Sequence, residues 1–240
     1  MAFVAVAAGA FVKGVTGSGL PLIGIPFMAS FLGVEHAVVV MLIPTAVANA
    51  WMVWANREAA SEARHLWPMY LLGVVGTASG TWILVSFDDR WLSLALAAMI
   101  VLYATVFFAK PDLQFTRKFT DRANAPLGLA AGVLQGSTGL SGPIVATYFH
   151  GFRMARTTYL FTVTAMYGLF GATQIVALIG FGSFTIERFW QGMATLIPLA
   201  LALPPGLRLS ARISHTAFER SVLVLLLVVS IRLVWNSFAG

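Results

Sequence analysis

Eight apolar segments separated by short polar stretches dominate this chain of 240 residues. Six of the segments have the length of a single membrane crossing, roughly 20 residues. Charged residues make up only 10% of the chain, whereas a soluble globular domain contains about 25%. The pattern predicts an all-α polytopic membrane protein and argues against a soluble enzyme or a nucleic-acid-binding protein. The segments lie at about 2–32, 37–55, 67–87, 91–109, 125–150, 157–181, 189–207 and 217–238.

The first and fifth segments are too long for one crossing. A continuous helix over 2–32 would be roughly 45 Å long, against a hydrocarbon core of about 30 Å. Each of these segments contains a Gly-rich sequence that ends in Pro, GVTGSGLP at 14–21 and GSTGLSGP at 136–143. A shift of 122 residues aligns Gly14 with Gly136 and Pro21 with Pro143. We therefore predict two repeats, 1–109 and 125–240, each with one broken helix, joined by a cytoplasmic linker at 110–124.

The distribution of Lys and Arg favours repeats of opposite orientation. If each broken segment enters and leaves the membrane on the same face, each repeat has three full crossings, so the second repeat is inverted. The basic face is then cytoplasmic by the positive-inside rule, and both termini are periplasmic. The alternative, in which both broken segments are bent full crossings, stays open. In the re-entrant arrangement one face carries Arg57, Arg64, Lys110, Arg117, Lys118, Arg122, Arg153, Arg156, Arg208, Arg212 and Arg220, and the other carries Arg90 and Arg188.

Both Gly-rich sequences are predicted to interrupt a helix and begin a half-helix at the membrane midplane. The N-terminus of a half-helix presents unpaired N–H groups and a partial positive charge, which together favour an anion. Glycines let a ligand approach the backbone, and hydroxyl groups add hydrogen-bond donors. We predict that a small anion binds between the two breaks. The predicted substrate-binding residues are Lys13, Gly14, Thr16, Gly17, Ser18, Gly19, Gln135, Gly136, Ser137, Thr138, Gly139, Ser141 and Gly142.

Apart from Lys13 and Arg232, which lie inside apolar segments, the ionisable residues are placed at segment ends or in loops. No Asp or Glu lies inside a predicted crossing, so the sequence shows no carboxylate proton relay or sodium site. Lys13 lies within the first segment, where it has either a substrate-binding or gating role, or extends its amine to the membrane interface. No cofactor, metal or catalytic residue is predicted. The expected partners are a small anion and the lipid bilayer, without nucleic acid, and a homodimer is left open.

Two alternatives concern the same small residues. Glycines also allow close helix packing in membranes, which accounts for Gly73, Gly76 and Gly80 at helical spacing in the third segment. The sequence GLSG at 139–142 is similar to the nucleophile motif of rhomboid intramembrane serine proteases. That enzyme class needs a histidine within hydrogen-bond reach of the serine, and neither His150 nor His215 is well placed in the sequence. A passive small-anion channel shares every predicted site residue with a transporter.

The two Gly-rich breaks and the eight apolar segments resemble the TauE/SafE sulfite exporter family of bacterial inner-membrane proteins. The resemblance covers nearly the whole chain. It implies that the protein exports sulfite or a related sulfur-containing anion, such as an organosulfonate, as a secondary transporter or facilitator. The family's motif has consecutive glycines where this chain has Ser18 between Gly17 and Gly19, a difference that bears on which anion fits.

Overall fold

The computed structural model describes residues 2–16, 19–63, 66–109, 117–150, 154–210 and 215–239. Its regular structure is helical, with no strand among these residues. A short 3-10 helix, Arg57–Ser61, lies between the third and fourth α-helices. The α-helices are α1 (Ala2–Thr16), α2 (Leu20–Leu32), α3 (Val34–Ala55), α4 (Trp67–Ser86), α5 (Asp89–Ala109), α6 (Arg117–Thr138), α7 (Gly142–His150), α8 (Arg156–Gly180), α9 (Ile186–Ala194), α10 (Leu196–Ser210) and α11 (His215–Ala239).

Several of these helices are long and apolar enough to cross a membrane. Within the described residues, four stretches satisfy both conditions: Val34–Ala55, Trp67–Ser86, Arg156–Gly180 and the combined α9 and α10 over Ile186–Leu209. Large apolar side chains such as Trp51, Leu102 and Trp235 are exposed on the protein surface, as expected where the solvent is lipid. The prediction of an all-α polytopic membrane protein is confirmed.

Helix boundaries fall within both Gly-rich sequences. The α1 helix ends at Thr16 and α2 begins at Leu20, while α6 ends at Thr138 and α7 begins at Gly142. The linking backbone includes positive φ angles, 108° at Gly19 and 72° at Gly139, a conformation that glycine adopts without the steric cost of a Cβ. Residues 117–124 of the predicted linker belong to α6, and residues 110–116 lie outside the described part of the chain.

One compact unit comprises Met1–Pro44, Ser86–Ala109 and Phe184–Gly240. Within it, α1 packs on α2 and α10, and α5 packs on α11. The Asp89 carboxylate accepts a hydrogen bond from the N–H of Val34 and so caps α3. The backbones of α1 and α10 touch: a Cβ on Gly206 would lie 2.3 Å from the carbonyl oxygen of Phe11 and 3.1 Å from Cα of Gly14.

The second compact unit comprises Thr45–Val85 and Lys110–Ser183. Glycines of α4 and α6 bring the two backbones into contact, because a Cβ on Gly76 would lie 2.3 Å from the carbonyl oxygen of Leu129. A Cβ on Gly80 would lie 2.2 Å from the carbonyl oxygen of Val133 and 3.0 Å from Cα of Gly136. The close-packing prediction for the α4 glycines is confirmed. An apolar core lies beside this contact and contains Leu66, Met69, Ala131, Val145, Tyr148, Phe149, Val163, Met166 and Phe170.

One close helix contact through a glycine occurs at equivalent positions of the broken helices in the two units. Gly206 of α10 contacts positions 11 and 14 of α1, and Gly80 of α4 contacts positions 133 and 136 of α6. Both pairs of contacted positions differ by the same 122 residues that align the Gly-rich sequences. Each broken helix is therefore held by a glycine contact at the same point of its sequence.

Candidate functional site

The half-helix α2 begins immediately after the first break. The N–H of Ile23 donates to the carbonyl oxygen of Gly19 at 3.2 Å, which makes Gly19 the N-cap residue. Pro21 occupies the second helical position, where its missing N–H removes no helical hydrogen bond. The N–H groups of Leu20 and Leu22 precede the first helical hydrogen bond and have no acceptor within the helix. The end of α2 at the break thus presents donor groups.

The half-helix α7 begins in the same way after the second break. The N–H of Val145 donates to the carbonyl oxygen of Ser141 at 3.0 Å. Pro143 is again the second helical residue. The N–H groups of Gly142 and Ile144 have no acceptor within the helix. Every one of these positions lies 122 residues after its counterpart in α2, so the two half-helices start in the same register.

Lys13 and Gln135 occupy equivalent positions, one turn before each break. Lys13 lies in the last turn of α1, and its exposed fraction is only 6%. A lysine that extended its amine to a membrane interface would be exposed, so burial favours a role for Lys13 inside the protein. Gln135 is similarly buried, with 7% exposure.

The predicted hydroxyl donors of the second break are engaged with the protein. Ser137 and Thr138 donate to main-chain carbonyls four residues earlier, at 2.8 and 2.7 Å. Ser141 donates to Oε1 of Gln135 at 2.8 Å. A hydroxyl has a single hydrogen to donate, so an anion would reach these donors only by displacing an existing hydrogen bond. An anion could bind the main-chain N–H groups at the start of α7 without displacing a hydrogen bond of that helix.

Gln174 of α8 holds the turn before the second break, and sequence reasoning missed it. Its side chain is completely buried, and its Nε2 donates to the carbonyl oxygens of Gln135 at 3.2 Å and Gly136 at 2.9 Å. Its Oε1 accepts from Nε2 of Gln135 at 3.4 Å. A chain of hydrogen bonds therefore runs from Ser141 through the two glutamines to the end of α6. The sequence did contain a signal for this residue, because the side-chain amide of Gln174 lies inside an otherwise apolar segment.

The two glycines that open the Gly-rich sequences have a packing role. A Cβ on Gly14 would lie 2.6 Å from the carbonyl oxygen of Leu203, and one on Gly136 would lie 2.3 Å from that of Thr77. Neither distance is compatible with a side chain, which explains why glycine stands at both positions. Gly142 differs, because its nearest neighbour, the hydroxyl of Tyr167, would lie 3.5 Å from an added Cβ. The predicted site residues Gly17 and Ser18 and the side chain of Thr16 lie outside the described residues.

The environment of Ser141 differs from that of a catalytic serine. Its hydroxyl donates to a glutamine amide oxygen, and an amide oxygen is not a base that can activate a nucleophile. The side chains of His150 and His215 lie outside the described part of the chain. Within the described residues, no cluster of three His, Asp or Glu residues is arranged to hold a metal ion.

Comparison with protein families identifies the chain. Residues 1–233 match the family model described as Sulfite exporter TauE/SafE. The chain belongs to this family. The resemblance inferred from the Gly-rich breaks is thereby confirmed. Comparison with curated proteins gives no match, and comparison with solved structures gives none either.

Membership in the TauE/SafE family defines the general activity. The family consists of transporters, so the protein is a multi-pass membrane protein that carries an anion across the bilayer and is not an enzyme. The intramembrane protease alternative is therefore not supported. The description of the family names sulfite as the exported anion.

Proposed function

We propose that this protein exports sulfite, or a closely related sulfur oxyanion such as an organosulfonate, across the inner membrane of a bacterium. The anion binds at the N-termini of α2 and α7. The observation that carries this proposal is the shared register of the two half-helices, each with its N-cap carbonyl, its proline and its N–H groups without an acceptor in the helix at positions related by 122 residues.

Helix electrostatics support an oxyanion as the ligand. The N-terminus of a helix carries a partial charge of about +0.5, and the two half-helices contribute one such terminus each. The buried Lys13 adds a full positive charge one turn before the first break. Sulfite and sulfonate oxygens accept several hydrogen bonds at once, which matches main-chain donors that are not used within either helix.

The proposal includes two inverted repeats with the basic face in the cytoplasm. The repeat is supported by the equivalent glycine contacts, because Gly206 and Gly80 meet the broken helices at positions 122 residues apart. Inversion is supported by the unequal distribution of Lys and Arg between equivalent loops. Movement of one repeat against the other would then expose the anion to either side of the membrane.

A single N–H group can be removed to test the site. Gly142→Pro deletes the N–H of the first residue of α7, a helical position that accepts proline. Gly142→Ala is the matched control, because it keeps the N–H and its Cβ has space beside Tyr167. A hydrogen bond to a charged group is worth about 1.5–3 kcal/mol, so Gly142→Pro should lower sulfite affinity in proteoliposome flux assays by roughly 10- to 100-fold. Equal flux in the two variants would refute a role for this N–H.

Counterflow separates a carrier from the channel alternative. Proteoliposomes loaded with unlabelled sulfite should transiently accumulate labelled sulfite if the binding site alternates between the two sides. An open pore gives no accumulation. Absence of counterflow together with retained flux would replace the transporter mechanism with a passive channel.

A further inference from the structure

An open groove lies between α5 and α11, outside the half-helices described above. Its volume is about 1090 Å³. Residues of α5, including Leu94, Ala98 and Leu102, form one wall, and Val234 and Trp235 of α11 contribute to the other. Most of these side chains are exposed on the surface of the unit. The groove is therefore accessible to a ligand from the bilayer.

The groove accepts hydrocarbon rather than a polar solute. Its two polar lining residues, Thr105 and Ser230, each donate their hydroxyl hydrogen at 2.8 Å to a main-chain carbonyl of their own helix. The remaining lining residues are apolar. An anion in transit would gain no hydrogen-bond donor here, so the groove is distinct from the proposed transport site.

The length of the groove matches one leaflet of a bilayer. Its α5 wall extends from Leu94 to Thr105, which is roughly 16 Å of helix at 1.5 Å per residue. Half of the hydrocarbon core is about 15 Å. An acyl chain lying parallel to α5 would fill the groove from the headgroup level to the middle of the membrane.

A positive charge stands at one end of the groove. The guanidinium of Arg90 lies 5.1 Å from the ring centroid of Phe238, which lines the groove, and 5.7 Å from that of Trp91. The hydroxyl of Ser237 donates to the carbonyl oxygen of Leu233 at 2.7 Å and lies 3.5 Å from the carbonyl oxygen of Arg90, so the end of α11 lies beside the start of α5. The nearby carboxylate of Asp89 accepts hydrogen bonds from the start of α3 and from Ser93. The cation is thus held at the mouth of an apolar groove.

We propose that this groove binds an anionic phospholipid, with an acyl chain between α5 and α11 and the phosphate beside Arg90. The positive charge of Arg90 complements an anionic headgroup, and the length of the groove matches that of an acyl chain within one leaflet. Trp91 and Trp235 lie at the same end, where aromatic side chains occupy the headgroup level of membrane proteins. This site is independent of the anion that the protein transports.

The test compares two lipids on the full-length protein. Purified protein in mixed micelles of phosphatidylglycerol and phosphatidylcholine is examined by native mass spectrometry for bound lipid. We expect the wild type to retain phosphatidylglycerol preferentially. Arg90→Gln should reduce that preference by about fivefold, the effect of one basic residue at an anionic membrane surface. Arg57→Gln is the matched control, because Arg57 is also stacked on a tryptophan, 5.1 Å from the Trp54 ring, and does not line the groove.

A variant that fills the groove tests whether the acyl chain of the lipid binds there. Ala98→Trp introduces a bulky side chain on the exposed wall and should abolish retention of both lipids, while thermal unfolding of the variant shows that it remains folded. Equal lipid preference in the wild type and Arg90→Gln, or full lipid retention in folded Ala98→Trp, would overturn the proposal. If the wild type is instead a dimer without bound lipid, and Ala98→Trp converts it to a monomer, the groove binds a second copy of the protein.

Discussion

Replacing Gln174 by Leu removes the link between α8 and the end of α6 without emptying much volume. The substitution deletes two hydrogen bonds donated to the carbonyls of Gln135 and Gly136 and one accepted from Gln135. Gly136 is among the last four residues of α6, so its carbonyl has no donor within the helix. Loss of Gln174 therefore leaves a buried acceptor at the break.

The expected destabilisation follows from these three bonds. Hydrogen bonds between membrane helices average about 0.6 kcal/mol each, so their loss totals about 2 kcal/mol. For a chain of this size, that amounts to a decrease of about 4–8 °C in the thermal unfolding midpoint. Gln174→Glu should be at least as destabilising, because a carboxylate cannot donate to the two carbonyls.

The measurement is thermal unfolding of detergent-purified protein, with sulfite flux in proteoliposomes as a second readout. Thr173→Val is the matched control, since Thr173 is adjacent in sequence, and its hydroxyl bonds only to a carbonyl of its own helix at an exposed position. We expect Gln174→Leu to reduce both the midpoint and the flux, and Thr173→Val to change neither. A Gln174→Leu midpoint indistinguishable from that of Thr173→Val would show that the three bonds do not stabilise the break.

Other predictions address the packing, the cap and the topology. Gly136→Ala places a Cβ 2.3 Å from a main-chain oxygen of α4 and should destabilise by about 1–3 kcal/mol, whereas Gly171→Ala, which has open space, should not; equal unfolding midpoints would contradict close packing. Asp89→Ala removes the cap that the carboxylate provides at the N–H of Val34 and should cost about 1 kcal/mol, while an equally large loss in Asp89→Asn would implicate charge instead. In this cysteine-free chain, the predicted cytoplasmic position of residue 61 means that Ser61→Cys in intact cells should react with a membrane-permeant maleimide and not with an impermeant one. Labelling by an impermeant maleimide from the periplasm would reverse the predicted topology.

The helices were predictable from the sequence because their ends coincide with polar residues. The third apolar segment was expected at 67–87, and α4 extends over Trp67–Ser86. Hydrophobic length is a strong signal in a membrane protein, since each helix must satisfy its own backbone before it meets a neighbour. The break between α6 and α7 was recognisable for a similar reason, because Gly139 permits a positive φ and Pro143 suits a first helical turn.

Contacts between distant helices were harder to predict. Gln174 was overlooked because its partners lie 38 and 39 residues earlier, and a single sequence gives no indication of that pairing. The glycines of α6 at 128, 132 and 136 recur every fourth residue, which is typical of a packed face. The three α4 glycines were interpreted as packing residues, whereas Gly136 was assigned to the substrate site alone.

The compact units and the predicted sequence repeats divide the chain differently, and the glycine contacts relate the two divisions. In one unit the broken helix of the first half packs on α10 from the second half, and in the other the broken helix of the second half packs on α4 from the first. The contacts at Gly206 and Gly80 meet the broken helices at positions 122 residues apart, and in each case the glycine comes from the other half of the chain. The first half expressed alone would therefore expose the glycine face of α1. We therefore expect that neither half forms a stable fold without the other.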